Sequence, residues 1–337
     1  MSHNFDSLGQ VLEQFRLPPI PAEKITLLPA GLSGSQVWKV ETAWGNFCLK
    51  CMPAGFSVQR IQTIHRAVTA RRDAGMTLLP NYCQSASRQT YVEHDKRLWE
   101  LQTWATGSEA LPPYSFAEQR SMLQTVARFH QVLRNTPQDI SRLAPSEGVA
   151  TRLQMLRTWR DHRMQEVVPQ VERYGNPKVR GILALFTMVF QTFHRPLELL
   201  LESVADEGFL VEYCIGDPRP ENFHFEDGQV SAMFDFGSLR KDNIALDIAR
   251  LASELSTDGS VDWELAFDNI ELIRPLKEAE KHLTQILDAA NVLLTGLKWV
   301  QWIVIDGYSF SNPKLVEARL LHLAMRVDQL IHHPVWQ

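Results

Sequence analysis

Alternating hydrophobic and polar positions run through the first hundred residues and predict a small antiparallel sheet. Gln36–Thr42 and Phe47–Met52 both alternate, and Trp44-Gly45-Asn46 between them is a turn signal, so we expect a hairpin that follows a short apolar run at Ile25–Leu28. A second pair of strands is expected at Gln89–Glu93 and Arg97–Trp104, around the polar turn His94-Asp95. The pattern between the two pairs, Ser57–Ala74, has helical spacing.

From Ser115 onwards the apolar residues recur at helical spacing instead. Further helices are predicted at Val149–Val171, Pro177–Ala205, Ile244–Leu255, Pro275–Leu294 and Pro313–His332, with a β-rich island at Phe209–Ile215, Asn222–Phe225 and Gln229–Phe234. The periodicity breaks at Ala105–Pro113. We therefore predict an N-terminal domain over residues 1–104 and a mostly helical domain over residues 105–337. The polar first twenty residues give no pattern to which we assign structure.

Composition restricts the classes of function. The 337 residues include 34 Lys plus Arg and 39 Asp plus Glu, for a net charge of −5, which argues against a nucleic-acid partner. Four cysteines are too few for a disulfide framework, and Cys48-Leu-Lys-Cys51 has no second Cys or His pair to complete a zinc site. No window of about 18 uninterrupted apolar residues predicts a membrane span. We expect a cytoplasmic protein with no obligate protein partner.

The strongest chemical signal is Ile215-Gly216-Asp217-Pro218-Arg219-Pro220-Glu221-Asn222, followed by Phe234-Asp235-Phe236-Gly237. The two prolines forbid a regular helix, so Asp217 and Asn222 lie on a rigid loop. Asp227-Gly228 predicts a hairpin turn that brings Asp235 back beside Asn222. An amide oxygen and a carboxylate side by side suit Mg²⁺, and Asp217 is left to accept a proton from a hydroxyl.

Asp217-x4-Asn222 with the later Asp235-Phe236-Gly237 resembles the catalytic loop and metal-binding Asp of the kinase fold. The glycine before Asp217 and the prolines after it are similar to the aminoglycoside phosphotransferase and choline-kinase-like family rather than to protein kinases. Leu246-Asp247-Ile248-Ala249 resembles the helix start that follows in that family. The resemblance runs in order from about residue 25 to 305 and implies an α+β, bilobal, protein-kinase-like fold.

The same resemblance implies the binding residues. Pro29–Val40 looks like the glycine-rich nucleotide loop, with Gly31, Ser33, Gly34 and Ser35 as its contacts to ATP, and Phe47-Cys48-Leu49-Lys50 looks like the strand of the phosphate-binding lysine. Trp99–Gly107 falls at the family's hinge and implies nucleotide contacts from Glu100 and Gln102. Taken singly, Gly31-x-x-Gly34 is typical of ordinary loops and Lys50 of surface lysines. Asp247 is expected to cap or brace its helix.

Two departures from the family pattern leave alternatives open. Ile215 replaces a loop His, and Arg219, either a phosphate contact or a solvated residue, replaces another. The helix at residues 57–75 has no Glu to pair with Lys50, so His65, Gln62 or Asp235 with the nucleotide would have to hold it. These departures motivate the alternative of a catalytically degenerate kinase-like protein that binds nucleotides or partners.

The sequence thus predicts an ATP- and Mg²⁺-dependent phosphotransferase for a small-molecule hydroxyl, with Asp217 as catalytic base and Asn222 and Asp235 as metal ligands. Family acceptors are aminoglycosides, choline or ethanolamine, homoserine and sugar-like molecules. Candidates for the acceptor pocket are Asp242, Trp299, Trp302 and Asp306. The two tryptophans could face a cationic amine or simply belong to the core.

Overall fold

The computed structural model describes residues 5–29, 34–308, 310, 312–332 and 334–336. The helices are α1 Phe5–Gln14, α2 Val58–Asp73, α3 Phe116–Gln131, α4 Glu147–Thr158, α5 Met164–Glu172, α6 Pro177–Ser203, α7 Ala245–Leu255, α8 Trp263–Glu271, α9 Glu278–Val300 and α10 Pro313–Gln329. The strands are β1 Ile25–Leu27, β2 Gln36–Thr42, β3 Gly45–Cys51, β4 Val92–His94, β5 Arg97–Thr103, β6 Ser108–Glu109, β7 Arg142–Ala144, β8 Phe209–Cys214, β9 Phe223–Glu226, β10 Gln229–Met233 and β11 Arg240–Asp242. Among the helices in these ranges, none combines the length and the apolar character that crossing a bilayer requires.

The chain forms two compact units. The first contains Met1–Ala110, Asn135–Gln138 and Glu221–Gly237, and the second contains the remaining segments, Leu111–Arg134, Asp139–Pro220 and Ser238–Gln337. The first unit is built on sheets and the second on helices. This confirms the predicted α+β class, with a β-rich N-terminal part and a larger helical part.

In the first unit, antiparallel strands form a five-stranded sheet in the order β1-β2-β3-β5-β4. The predicted hairpin of β2 and β3 is present, with Thr42 opposite Gly45. The predicted strand at Gln89–Glu93 is shorter and starts at Val92, and its turn is Asp95-Lys96, where both residues have positive φ. A hairpin turn with two left-handed residues matches the twist of the strands it joins.

Helix α1 covers one face of this sheet, and the sequence pattern had given it no structure. Its apolar residues Leu8, Val11 and Leu12 are buried against Trp38 and Trp99 of the sheet. The spacing of these three residues, i, i+3 and i+4, is the signal of an amphipathic helix, and it was overlooked because the surrounding residues are polar.

The second unit packs its helices around α9, which contacts α4, α6, α7 and α10. The structure extends α9 to Val300, beyond the predicted end at Leu294, and adds α8, which had not been predicted. The three strands of the predicted β island separate: β8 pairs with β7 and β11 in the second unit, whereas β9 and β10 pair with β6 in the first. Strands as short as β6, β7 and β11 leave no periodic pattern, which is why their sheets could not be predicted.

Candidate active site

A cavity of about 720 Å³ in the first unit collects most of the predicted binding residues. Strands β3 and β5 line it, together with the loop at Thr77–Tyr82 and the β9–β10 hairpin with the residues that follow it. The members of the predicted set on its wall are Lys50, Glu100, Gln102, Asn222 and Asp235. A volume of several hundred Å³ with a few convergent polar groups is typical of a small-molecule site.

Strand alternation aims Lys50 at this cavity. Its neighbours Leu49 and Cys51 are fully buried, and Lys50 alternates to the other side. The ammonium Nζ donates to Oδ1 of Asp235 at 2.7 Å. Two residues 185 positions apart in the chain thus form an ion pair inside the first unit.

The β9–β10 hairpin brings Asp235 to that position. Gln229 pairs with Glu226 across the predicted turn, and a register shift between Val230 and Ala232 lets the backbone N–H of Phe234 donate to the carbonyl of Asn222 at 3.1 Å. Asp235 follows directly, with φ of +62°, a conformation that costs energy for residues other than glycine. Backbone strain of this kind is concentrated at functional sites.

The charges of the pair stabilise each other. Burial alone would lower the pKa of Lys50, but the carboxylates of Asp235 and Glu100 outweigh it, and that pKa is raised. For Asp235, burial would raise the pKa, but the Lys50 ammonium lowers it below the ordinary value of 3.8. Both groups are therefore charged at neutral pH.

Glu100 supplies a second carboxylate beside Lys50, which the helix α2 lacks. Glu100 lies directly opposite Lys50 in the pairing of β3 with β5, so both side chains leave the sheet on the same face. Glu100 Oε2 accepts from Nε2 of His65 at 2.8 Å, and Nδ1 of His65 lies 2.7 Å from the hydroxyl of Thr90. His65 also stacks on Tyr82. The sequence left His65 open as a partner of Lys50. In the structure His65 contacts Glu100 instead.

Helix α2 also contacts the residues after Asp235. Nη2 of Arg60 donates to the carbonyl of Gly237 at 2.9 Å. Gln62, the other candidate on this helix, donates instead to the hydroxyl of Tyr91 at 3.3 Å. A helix without a glutamate therefore still fixes the Phe236-Gly237 segment, through a guanidinium and a backbone carbonyl.

The predicted base, Asp217, belongs to the second unit and follows strand β8. Gly216 before it has φ of +87°, and a Cβ there would lie 2.2 Å from the carbonyl oxygen of Ser238, so only glycine fits. The carboxylate of Asp217 is 42% exposed, and its Oδ1 accepts from Nε of Arg250 at 2.6 Å. The loop thus presents an oriented carboxylate at the surface of its unit.

Asp247 braces the loop that carries Asp217. Its fully buried carboxylate accepts from the backbone N–H of Ile215 at 2.7 Å and of Gly216 at 2.8 Å, and it contacts His130 at 2.9 Å. The other ring nitrogen of His130 lies 3.1 Å from Glu212. Burial would lower the pKa of His130, but these two carboxylates raise it. Asp247 and His130 thus hold the loop at Ile215, the position where the resemblance implies a His.

His130, Cys214 and Asp247 are close enough together to suggest a metal site. All three are buried, and burial raises the pKa of the Cys214 thiol well above its usual range, so the thiolate that a metal would need is disfavoured. The oxygens of Asp247 already accept three hydrogen bonds. The cluster is a structural brace.

Arg219 lies against a carboxylate of helix α7. Its Nη2 is 3.6 Å from Oε2 of Glu254, whose Oε1 is 2.8 Å from Nη1 of Arg250. A solvated loop residue would be more exposed than the 17% observed for this side chain. The glycine-rich loop is described in part: Gly31 and Ser33 lie outside the described residues, Gly34 has φ of +74°, and Ser35 is buried.

Two of the candidates for an acceptor pocket are unavailable. Asp242 is fully buried, and its carboxylate accepts from the Ser146 hydroxyl and the backbone N–H of Gly148 and Asn243. Trp299 is buried in the core of the second unit. Asp242 as an acceptor contact is therefore wrong, because its capping role uses the carboxylate fully, and of the two alternatives for Trp299 the structure supports core packing.

Comparison with known proteins gives a match to a family model and matches to solved structures. A family model described as the phosphotransferase enzyme family matches residues 24–281. A search of curated protein sequences finds no significant match.

Solved structures resemble the whole chain. The amicoumacin kinase hAmiN has a TM-score of 0.65 and 14% identity, over 99% of this chain and 95% of that one. A microcompartment-associated aminopropanol kinase has a TM-score of 0.63 and 13% identity, over 99% of each chain. An aminoglycoside phosphotransferase from Alicyclobacillus acidocaldarius has a TM-score of 0.57 and 16% identity, over 96% of this chain and 93% of that one. At such identities the likeness shows a shared fold.

Proposed function

Because the chain belongs to the phosphotransferase enzyme family, we propose that it transfers the γ-phosphate of ATP, with Mg²⁺, to a hydroxyl of a small molecule. The family predicted from the sequence motifs and the class of enzyme, a small-molecule phosphotransferase, are confirmed by the family match. The nucleotide, the metal, the acceptor and the roles of the residues are the content of the proposal.

The single observation that carries the proposal is the ion pair of Lys50 and Asp235 on the wall of a cavity large enough for a nucleotide. In this arrangement Lys50 contacts the phosphates, and Gly34, Ser35, Glu100 and Gln102 complete the nucleotide site; Gly31 and Ser33, which the resemblance adds, lie outside the described residues. The amicoumacin kinase hAmiN, which shares the fold, was solved with AMP-PNP and Ca²⁺. That precedent supports a nucleoside triphosphate.

The donor set fits a magnesium ion. Asn222 and Asp235 both line the cavity and offer an amide oxygen and a carboxylate, and hard oxygen ligands with room for phosphate oxygens are what Mg²⁺ requires. When bound, the ion neutralises negative charge on the phosphates. A lowered pKa keeps Asp235 ionised for this purpose throughout the neutral range.

Asp217 acts on the acceptor. We assign it the role of general base, which orients the acceptor hydroxyl and receives its proton as the phosphate is transferred. Arg250 holds the carboxylate in position, and Asp247 holds the loop through the backbone of Ile215 and Gly216. In this scheme residues 1–104 form the nucleotide-binding lobe and residues 105–337 the catalytic and substrate-binding lobe.

The proposal also includes the cellular compartment of the protein. The four cysteines are free, and burial raises the pKa of Cys48, Cys51 and Cys83 to about 11, so these thiols are unreactive. Free cysteines together with a need for ATP suit the cytoplasm.

The test is transfer of ³³P from γ-labelled ATP to a pool of small-molecule alcohols, separated by chromatography. Wild-type protein is expected to label an acceptor, and Asp217→Asn to do so about 10²–10⁴-fold more slowly with unchanged affinity for ATP, since general-base catalysis contributes that factor. Asp227→Asn, on the exposed turn of the β9–β10 hairpin, is the matched control. Labelling by Asp217→Asn at the wild-type rate would overturn the assignment.

A further inference from the structure

Positive charge is concentrated around Asp217. Arg250 contacts Asp217 at 2.6 Å and Glu254 at 2.8 Å, and Arg219 contacts Glu254 at 3.6 Å. Arg240 also borders the loop, since a Cβ on Gly216 would lie 3.3 Å from its Nε. Three guanidinium groups therefore surround the predicted base and the carboxylate beside it.

Lys298 of α9 adds a fourth cation and covers the aromatic candidate for the acceptor pocket. Its Nζ lies 4.6 Å from the centroid of the Trp302 ring, so a cation already occupies one face of that ring. Burial lowers the pKa of Lys298, the Asp217 carboxylate raises it, and the Arg250 guanidinium lowers it, so Lys298 is electrostatically coupled to both members of the ion pair. A cationic substrate group on that face would be repelled by the Lys298 ammonium.

Arg152 shows that the cations repel one another. Its pKa is lowered to about 10, mainly by burial and also by Arg240 and Arg250, while the Asp242 carboxylate acts in the opposite direction. Burial is the largest of these effects, and the two neighbouring guanidinium groups act in the same direction.

The nearby carboxylates do not cancel this excess. Asp242 is occupied by three hydrogen bonds from α4 and its own loop. Burial would raise the pKa of Glu254, but the neighbouring cations outweigh it and the pKa is lowered. These cations are Arg250, Arg219, His322 and Arg319, in decreasing order of effect. Among the described contacts of the base, of its neighbour Gly216 and of Glu254, four cations, Arg219, Arg240, Arg250 and Lys298, meet two carboxylates, Asp217 and Glu254.

We propose that the acceptor is an anionic alcohol, a molecule that carries a carboxylate near its reactive hydroxyl, and that Lys298 and Arg250 bind this carboxylate. The inference rests on the proposed function and narrows its substrate class. A carboxylate accepts hydrogen bonds from guanidinium and ammonium groups and supplies the negative charge that this surface lacks. Polycationic aminoglycosides and simple amino alcohols bring charge of the wrong sign.

Matched pairs of alcohols that differ only in a carboxylate test the proposal. They are homoserine and 3-aminopropan-1-ol, serine and ethanolamine, and gluconate with sorbitol as its neutral partner, with kanamycin as a polycation. Steady-state transfer from ATP is measured for each, and binding is measured by saturation-transfer NMR with the nucleotide present. We expect the acid of each pair to bind, and kcat/KM for an accepted acid to exceed that of its partner by about tenfold or more, since a charge pair in a partly buried site is worth at least that factor.

One variant and its control test whether Lys298 causes the preference for the acid. Lys298→Gln is expected to raise KM for the acid about tenfold and to reduce the preference within the pair, with little change for the uncharged or amine member. Lys281→Gln is the control, because Lys281 pairs with Glu271 and Glu278 and is not coupled to Asp217. Folding of both variants is checked by thermal denaturation.

Three outcomes would overturn the inference: a higher kcat/KM for the amine or neutral members, efficient phosphorylation of kanamycin, or no NMR binding of any acid. If the protein binds ATP with Mg²⁺ in the same samples, the proposed function survives any of these results and only the class of acceptor is wrong. If ATP does not bind at all, the proposed function itself fails.

Discussion

At Lys50, one buried ammonium is shared by two carboxylates that come from different parts of the first unit. Asp235 is brought by the β9–β10 hairpin, and Glu100 is brought by strand pairing. If Asp235 serves as a metal ligand, as proposed, Glu100 is the second carboxylate that compensates the charge of Lys50. His65 contacts Glu100 through Nε2 and the hydroxyl of Thr90 through Nδ1, which fixes the position of the Glu100 carboxylate.

Glu100→Gln tests whether this carboxylate acts on Lys50. Because the Glu100 charge helps to raise the pKa of Lys50, its removal is expected to lower that pKa and to increase the neutral amine fraction. Acetylation of Lys50 by acetic anhydride at pH 9, followed by mass spectrometry, should become several-fold faster, since each unit of pKa changes the amine fraction about tenfold.

The control for this prediction is Glu93→Gln, an exposed glutamate on the adjacent strand β4. In the Glu93→Gln variant, Lys50 should be acetylated at the wild-type rate. An unchanged rate in Glu100→Gln as well would mean that Glu100 acts on the nucleotide alone.

At the scale of elements, the loop of Asp217 depends on a glycine and on the brace from α3 and α7. Gly216 has a left-handed backbone with the carbonyl of Ser238 against it. We expect Gly216→Ala to lower the free energy of unfolding by about 2 kcal/mol or more, because the backbone strain and the clash add.

Gly181→Ala is the matched substitution, and it is expected to raise the free energy of unfolding instead of lowering it. Gly181 is exposed within α6, and a Cβ there meets nothing within 4 Å. Alanine should therefore stabilise the protein by ~0.5–1 kcal/mol through its helix propensity. Urea unfolding of both variants is the measurement, and equal effects at the two glycines would contradict the loop geometry.

The brace predicts a pH dependence. The pKa of His130 in the folded protein is raised above its ordinary value of 6.5 by Glu212 and Asp247 against the effect of burial. Folding therefore favours its protonated form: the stabilisation is fully present below pH 6.5 and is lost as the pH rises through the raised pKa of the folded state.

Urea unfolding at several pH values between 6 and 9 measures this loss in the wild type. His130→Gln should be less stable at pH 6 by about 3–5 kcal/mol, because two buried carboxylates lose their cation, and the difference from the wild type should shrink as the pH rises. A difference independent of pH would show that His130 is neutral in the folded protein.

At the scale of the whole molecule, the elements that could be predicted from the sequence are those with a pattern among neighbouring residues. The β2–β3 hairpin, the helix α2 and the return of Asp235 beside Asn222 followed from alternation, periodicity and an Asp-Gly turn. The role of Glu100 was not foreseen, because it depends on the register of two strands about fifty residues apart. Aligning Lys50 with Glu100 in the predicted strands would have been the one available signal.

The charge around Asp217 illustrates a second kind of limit. Arg250 and Lys298 lie on two helices that are separate in sequence, and only the packing of the second unit couples them to the Asp217 carboxylate. A net charge of −5 for the chain gives no hint of this local excess of cations. The acceptor class therefore depends on tertiary structure, whereas the catalytic motifs could be predicted from neighbouring residues.

The most direct test of the central claim is a calorimetric titration of ATP into the wild type and Asp235→Asn, each with and without Mg²⁺. The wild type is predicted to bind ATP more tightly with Mg²⁺, by at least about tenfold (~1.4 kcal/mol), and Asp235→Asn to lose that dependence. Asp227→Asn should behave as the wild type. Equal binding by wild type and Asp235→Asn in all conditions, or no binding of ATP by the wild type, would contradict the account.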